Sequence, residues 1–288
     1  ILASTANIFI APAMNMNMWL DKTTQDNYKK ISARGITFIG PADGEQACGD
    51  VGPGRMVEPD NILNLIASST KTGPLSGKVI TITAGPTREQ IDPVRFISNN
   101  SSGKMGYALA EAAIELGASV NLVSGPVSLN ADKSINLHKV NSASEMSESV
   151  NKFMKSSDIF IGCAAVSDFK PLDYSSIKIK KEDLVNPEIE LEMNTDILSN
   201  VANTYKSSFV VGFAAETSDV ANNAKKKLKT KNLDMIISND VSDKSIGFDV
   251  DENEVNVITL NETIFLKKDK KIRIAREILK IIAKNTKN

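Results

Sequence analysis

Residues 79–124 change period twice, and the order of the changes predicts one supersecondary unit. Val79, Ile80, Thr81, Ile82 and Thr83 form a β-branched run that breaks at Ala84, Gly85 and Pro86. From Lys104 the apolar positions Met105, Ala108, Leu109, Ala112 and Leu116 recur at helical spacing, with Gly117 as the stop, and a second apolar run comes next at residues 119–124. A β-branched run fits a pleated strand, whereas spacings of three and four lay a stripe along one helix face. Strand, helix and strand in that order make a βαβ unit, whose crossover rule implies parallel strands.

Apolar runs at residues 159–164, 209–213 and 235–238, each preceded by a helical pattern, extend the same sheet. Each strand exits into small or polar residues: Ala-Gly-Pro-Thr at 84, Ser-Gly-Pro at 124, Ala-Val-Ser-Asp at 165, Ala-Ala-Glu-Thr at 214 and Asn-Asp-Val-Ser at 239. In an open parallel sheet these ends share one edge, where ligands bind. Loops of this kind also simply turn the chain.

A period of two appears at residues 177–180 and 188–193, and predicts a hairpin turned at Asn186 and Pro187. Its polar face sets lysines opposite glutamates, so cross-strand pairing is one role for Lys178. Its apolar face (Ile177, Ile179, Ile189, Leu191, Met193) has little sheet to cover, and the expected cover is a second copy of the chain. Residues 254–260 and 263–266 alternate again, a hairpin turned at Asn261 and Glu262. An amphipathic helix over 270–283 closes the chain, with Ile274, Ile278 and Ile281 or Ile282 on one face.

The first seventy residues read as a separate unit. A short strand at residues 7–11 is stopped by Pro12, a helix spans 21–33 with Asp21 as N-cap and Gly35 beyond its end, and a strand comes next at 36–39. Residues 40–59 hold five glycines and three prolines, a density that predicts no regular structure. A helix at 61–68 and a linker at 68–74 complete the unit, giving domains at 1–70 and 71–288. The chain opens on Ile1 rather than methionine, with a strand pattern already under way, so an N-terminal truncation is expected.

Composition narrows the function. A net charge of −1 argues against a nucleic-acid protein of the usual basic kind, and 5% aromatic residues offer few stacking platforms. Two cysteines, Cys48 and Cys163, make no disulfide framework, and a reduced, cytoplasmic setting is expected. The apolar runs are too short to cross a bilayer. Cys48 sits in a glycine-flanked loop, where a thiol is accessible enough to react, although one loop cysteine is often incidental.

The loop after residue 84 carries Arg88, Arg95, Asn99 and Lys104 before a small-residue helix start at Ser101, Ser102 and Gly103. Unpaired amides at a helix start and cationic side chains suit a phosphate or carboxylate. An ordinary βα turn with solvated arginines fits the letters as well. A Walker loop fails, because Ser98 stands at the first glycine and Met105 at the hydroxyl. A dinucleotide fingerprint fails at Pro86 and Thr87, which disfavours a nicotinamide oxidoreductase. Lys227 and Lys231 add cations to the same edge, or form part of a solvated helix face.

Together residues 82–106, AAVSDF from Ala164, KIKK at 178–181, NTDIL at 194–198, GFAAET at 212–217 and KNLDMIISNDVS at 231–242 resemble one family closely. It is the bacterial coenzyme A biosynthesis bifunctional proteins, which fuse phosphopantothenoylcysteine decarboxylase to phosphopantothenate–cysteine ligase. The match to the ligase half runs through residues 75–288 in order. PAMNMNMW at 12–19 and ACGDVGPGRM at 47–56 resemble the C-terminal part of the flavin-dependent decarboxylase. Gln90 and Asn100 depart mildly from the pattern, replacing a proline and a histidine.

The resemblance implies a Rossmann-like, mostly parallel α/β ligase domain with a β-hairpin dimerisation arm, after the C-terminal part of a flavodoxin-like domain. It implies CTP-dependent ligation of 4'-phosphopantothenate with L-cysteine through an acyl-cytidylate, with Mg2+ held mainly by the CTP phosphates. By that resemblance Lys178 stabilises the first transfer, and Asn99 with Arg95 holds the acyl-cytidylate. Asp168, Phe213, Lys227 and Lys231 match CTP-binding positions, while backbone at Gly162, Cys163 and Ala164 and at Thr195, Asp196, Ile197 and Leu198 frames the nucleotide. In the decarboxylase portion Asn15 matches the family's substrate-gripping residue and Cys48 its proton-donating thiol, with FMN implied as the cofactor of the full-length domain. No decarboxylase activity is expected of this chain as given. A homodimer through the ligase domain is implied, and a higher homo-oligomer for the full-length protein. The competing class is a nucleotide-binding module or flavoprotein scaffold without turnover.

Overall fold

A computed structural model describes residues 6–46, 49–69, 73–180, 188–216, 220–240 and 250–286. The chain divides into two compact units, 1–71 and 72–288.

The first unit runs β1 (Phe9–Ile10), α1 (Met16–Leu20), α2 (Lys22–Ser32), β2 (Thr37–Phe38), β3 (Ala42–Glu45), β4 (Val51–Arg55) and α3 (Pro59–Ser69). Asp21 caps α2 by accepting from the Thr23 amide at 2.8 Å. Trp19, Tyr28 and Phe38 meet edge to face, with centroids 5.6 and 4.7 Å apart, and tie α1, α2 and β2 together. The glycine-rich stretch departs from expectation, because β3 and β4 pair there as an antiparallel hairpin. Its glycines serve close approach: a Cβ on Gly52 would strike the Met16 sulfur, and one on Gly54 the Met14 carbonyl. Met14 donates its amide to the Gly54 carbonyl, so the hairpin holds the segment that enters α1.

The second unit begins with β5 (Val79–Ala84), β6 (Arg88–Gln90), β7 (Phe96–Ser98), α4 (Lys104–Glu115), β8 (Ser119–Ser124), β9 (Asn136–Lys139), α5 (Ala143–Met154) and β10 (Ile159–Gly162). It continues with β11 (Phe169–Pro171), β12 (Leu191–Met193), α6 (Ile197–Thr204), β13 (Phe209–Glu216), α7 (Val220–Thr230) and β14 (Met235–Asp240). The closing elements are β15 (Glu252–Ile258), β16 (Thr263–Lys270) and α8 (Lys271–Asn285). An eight-stranded sheet has the order β16-β15-β14-β13-β10-β5-β8-β9. The strands from β9 to β14 are parallel, and β15 and β16 add an antiparallel hairpin to the edge. This is the expected Rossmann-like architecture.

Apolar residues on both faces of the strands bury two layers of helix. Leu109, Ala112 and Ala113 of α4 and Ile274, Ile278 and Ile282 of α8 cover one face. Met146 and Val150 of α5, Val201 of α6 and Leu228 of α7 cover the other. Helix α4 closes as the sequence suggests: Gly117 takes φ 93°, and Ala118 and Gly117 donate to the Ala113 and Ile114 carbonyls. His138 lies on the edge strand β9, its ring 5.8 Å from that of Phe153.

Two expectations about loops are corrected. The polar loop after residue 84 contains the β6–β7 hairpin, register Arg88 to Ser98. The hairpin expected between residues 177–180 and 188–193 does not form among the described residues; β12 pairs instead with β11. Alternation specifies a strand but not its partner. Here Lys170 of β11 stands opposite Glu192 and pairs with it at 3.1 Å, so the lysine facing a glutamate is Lys170 rather than Lys178.

Gly106 sets how closely α4 approaches the end of β5, since a Cβ there would lie 2.5 Å from the Ala84 Cβ and 3.2 Å from the Thr83 carbonyl oxygen. Gly106→Val is expected to lower stability by about 1–3 kcal/mol through overpacking. A urea unfolding midpoint equal to that of the unaltered chain would show that the helix yields freely.

Candidate functional site

From β5 the chain moves outward to β8 and β9, then returns across β5 to place β10 on its other side. Such a reversal leaves a crevice outside the carboxyl ends of the two central strands. The crevice is stitched by the Ala165 amide on the Gly85 carbonyl at 2.9 Å and the Thr87 amide on the Ala165 carbonyl at 3.3 Å. A cavity of about 640 Å³ opens there.

Its walls come from separated segments. The exit of β10 supplies Gly162, Cys163 and Ala164, and the next loop supplies Asp168. The buried Thr83 hydroxyl accepts both the Cys163 and Ala164 amides at 3.2 Å, which turns the chain away from the sheet. Opposite, Thr195, Asp196, Ile197 and Leu198 lead into α6. The Asn194 amide and side chain donate to the Asp168 and Ser167 carbonyls at 2.9 Å, holding these two walls together. Leu198 inserts above β10 and β13 because both strands place glycine beneath it: a Cβ on Gly162 would lie 3.1 Å from that side chain, and one on Gly212 2.8 Å. Phe213 completes this side.

Lys227 and Lys231 line the same cavity. Asp196 caps α6 by accepting from the Ser199 amide at 3.0 Å and orients the Lys231 ammonium at 2.8 Å. Burial pushes the Asp196 carboxyl up, but Lys231 and the Ser199 amide and hydroxyl outweigh it and hold it below the usual aspartate range. Lys104, at the start of α4, also lines the cavity and pairs with Asp251 at 2.8 Å.

Sequence reasoning missed Lys271. Only 7% exposed, it lines the cavity and donates from Nζ to the Val250 carbonyl. In the letters it stands at the start of an amphipathic helix, where lysines are ordinarily solvated. Burial pushes the Cys163 thiol up to about 12 against the opposing field of Lys271, so the thiol is protonated at neutral pH.

Three expected residues do not line this cavity. Asn99 is exposed and donates to the carbonyls of two wall residues, Ala165 and Val166, at 3.2 and 3.1 Å. Arg95 pairs with Asp92 at 3.2 Å and donates to the Ile179 carbonyl. Lys178 is exposed on the adjoining segment, beside Ile177, which is 75% exposed. In the first unit Asn15 donates to Asp50 at 2.8 Å and caps the Asn17 amide. Cys48 lies outside the described residues, as do Lys181, Thr217 and residues 241–242.

Fold and cavity together define a class, an open α/β domain with its site at the switch point of a parallel sheet. Residues 75–286 match the family profile described as DNA/pantothenate metabolism flavoprotein C-terminal domain, and residues 1–71 the flavoprotein profile. The chain is 47% identical over 284 residues to the coenzyme A biosynthesis bifunctional protein CoaBC of Vibrio vulnificus, covering 98% of this chain and 71% of that one. The CoaBC protein of Bacillus subtilis is 47% identical over 261 residues, covering 89% of this chain and 64% of the relative. A crystal structure of the C-terminal domain of a CoaBC protein aligns with TM-score 0.64 at 42% identity, covering 74% of this chain and 97% of that structure. The chain belongs to the CoaBC family of bifunctional proteins.

Among the described residues no three His, Cys, Asp or Glu side chains group to hold a metal ion. Around Asn15, the Gln46 side chain accepts the Met16 amide at 3.0 Å and donates to the Pro53 carbonyl at 3.3 Å. Among the described residues no helix is long and apolar enough to cross a membrane.

Asp196 has a folded-state value below its unfolded one, so its contribution is present above the ordinary aspartate range and is lost as pH falls through the lowered value. Asp196→Ala is expected to cost about 1 kcal/mol at neutral pH as a lost cap. That deficit should shrink on acidification below about pH 4. Urea midpoints measured across pH check this, and a deficit constant with pH would contradict it.

Proposed function

We propose that the second unit ligates 4'-phosphopantothenate to L-cysteine using CTP, within coenzyme A biosynthesis. The observation that carries the reading is the cavity at the switch point, into which α4, α7 and the turn after α7 each bring a lysine: Lys104, Lys227 and Lys231. Membership of the CoaBC family supports it.

In the first step the substrate carboxylate attacks the α-phosphorus, the bond to the β-phosphate breaks, and pyrophosphate leaves. In the second, the cysteine amine attacks the acyl carbon, loses a proton, and CMP departs. Neither step asks much of a general base; both gather negative charge that must be positioned and neutralised. Lys227 and Lys231 fit the phosphates, with Asp196 orienting Lys231. Backbone at 162–164 and 195–198 frames the base, with Phe213 beside it. By the family resemblance, Asn99 and Arg95, which like Lys178 do not line this cavity in the single chain, hold the acyl-cytidylate, and Lys178 offsets charge in the first transfer. Magnesium, carried in on the triphosphate, would supply further neutralisation of the leaving pyrophosphate.

Lys178 lies outside the cavity wall, and its segment adjoins an exposed apolar strip. Phe169, Leu172, Ile177, Ile189, Leu191 and Met193 all face solvent, Met193 at 77%. A strip of that kind marks an interface. In the proposed homodimer this arm packs on a second copy and delivers Lys178 to that copy's cavity.

Pyrophosphate release with 4'-phosphopantothenate and CTP, and with ATP in its place, tests the reading. Release is expected with CTP even before cysteine is added, and Lys178→Gln should lower it by about 10²–10³-fold. Nucleotide binding without turnover, in the chain and the variant alike, would show a binding module instead.

A further inference from the structure

We propose that Asp92 is the positioning residue of the ligation site: its carboxylate fixes the backbone that carries both Arg95 and Lys178. The catalytic consequence rests on the ligase reading above; the clamp itself does not.

Asp92 lies in the turn between β6 and β7 and is completely buried. Its Oδ1 accepts the Val94 and Arg95 amides, each at 2.8 Å. These are the bonds by which an aspartate ordinarily closes its own turn, and they need only one oxygen. The second oxygen works at long range. Oδ2 accepts the amide of Ile179 at 3.2 Å and meets the Arg95 Nε at 3.2 Å. Arg95 then donates from Nη2 to the carbonyl of the same Ile179. Both backbone groups of the residue after Lys178 are therefore held by the Asp92–Arg95 pair.

The turn is itself anchored to the body of the domain. The Arg88 amide donates to the Asn141 carbonyl at 2.8 Å, and the buried Glu89 carboxylate accepts the Ala143 amide at the start of α5 at 2.9 Å. A further strand of contact runs from the Ser175 amide to the Ile91 carbonyl at 3.0 Å. Contacts thus lead without a break from α5 through β6 to the Lys178 segment.

The chemistry requires a carboxylate. All of its partners are donors, and ionised aspartate is an acceptor on both oxygens. An amide of the same shape would turn an N–H₂ toward either the turn amides or the Ile179 amide and Arg95. Burial pushes the Asp92 carboxyl up, but the three amides and Arg95 together hold it below the usual range, so it stays charged at neutral pH.

Asp92→Asn in the full chain tests the clamp in two ways. Limited trypsin cleavage after Lys178 cuts the peptide whose N–H Asp92 accepts, and is expected to quicken about tenfold or more as local opening becomes easier. Pyrophosphate release should lose about 10²-fold in kcat, with the KM for CTP changed by less than about threefold, because Lys227 and Lys231 are untouched. Added to Lys178→Gln, Asp92→Asn should cost under about threefold more, the non-additivity expected of residues acting as a unit. Ile179→Pro removes the accepted amide while leaving Asp92 and its turn in place, and should reproduce the kcat loss if Asp92→Asn fails to fold. Unchanged cleavage after Lys178, or fully additive losses in the double variant, would overturn the proposal. Absence of pyrophosphate release from the unaltered chain would instead overturn the ligase reading, while cleavage still decides the clamp.

Discussion

Everything at the cavity depends on one constraint of parallel sheets: strands that run the same way end on the same edge, and their last backbone groups must find partners there. Between β5 and β10 the solution is local. Thr83 takes two amides from the exit of β10, while Gly85 and Ala165 join the two exits directly. Because these bonds are made within the wall, the space above the strand ends stays open. Bulk on the strands would close it, and the glycines at 162 and 212 instead admit Leu198 and set the start of α6 beside the cavity.

Charge is then added from outside the sheet. The chain is nearly neutral as a whole, at −1, yet Lys104, Lys227, Lys231 and Lys271 all face one cavity. Lys104 and Lys231 are paired with Asp251 and Asp196, so each ammonium is oriented before any ligand arrives. Half-exposed pairs of this kind add little stability. Their larger effect is positional, holding flexible side chains where a polyanion would need them. Lys271 differs in being buried against the Val250 carbonyl, which makes it part of the cavity floor.

Much of this was legible in the letters. The strands of the main sheet are β-branched or apolar runs with small exits, and the parallel reading followed from the helical stripes between them. Residues singled out at 162–164, 168, 195–198, 213, 227 and 231 meet at one cavity. What the letters hid is tertiary. The glycines of β4 look like breakers until Met14 and Met16 are seen filling the space their side chains would take. The alternation at residues 191–193 announces a strand but not β11 as its partner, which sets Phe169, Lys170 and Pro171 opposite Met193, Glu192 and Leu191. Lys271 cannot be told from a solvated helix start without knowing what packs over it. Lys178 stands apart from the cavity, and what holds its segment, the Asp92 and Arg95 contacts to Ile179, is equally tertiary.

In the proposed reaction the nucleotide enters this cavity and meets its lysines. Calorimetric titration of CTP into the chain and into Lys231→Gln measures that contact. The dissociation constant is expected to rise about tenfold or more in the variant, the loss of one charge-assisted contact to phosphate. An unchanged constant would contradict it.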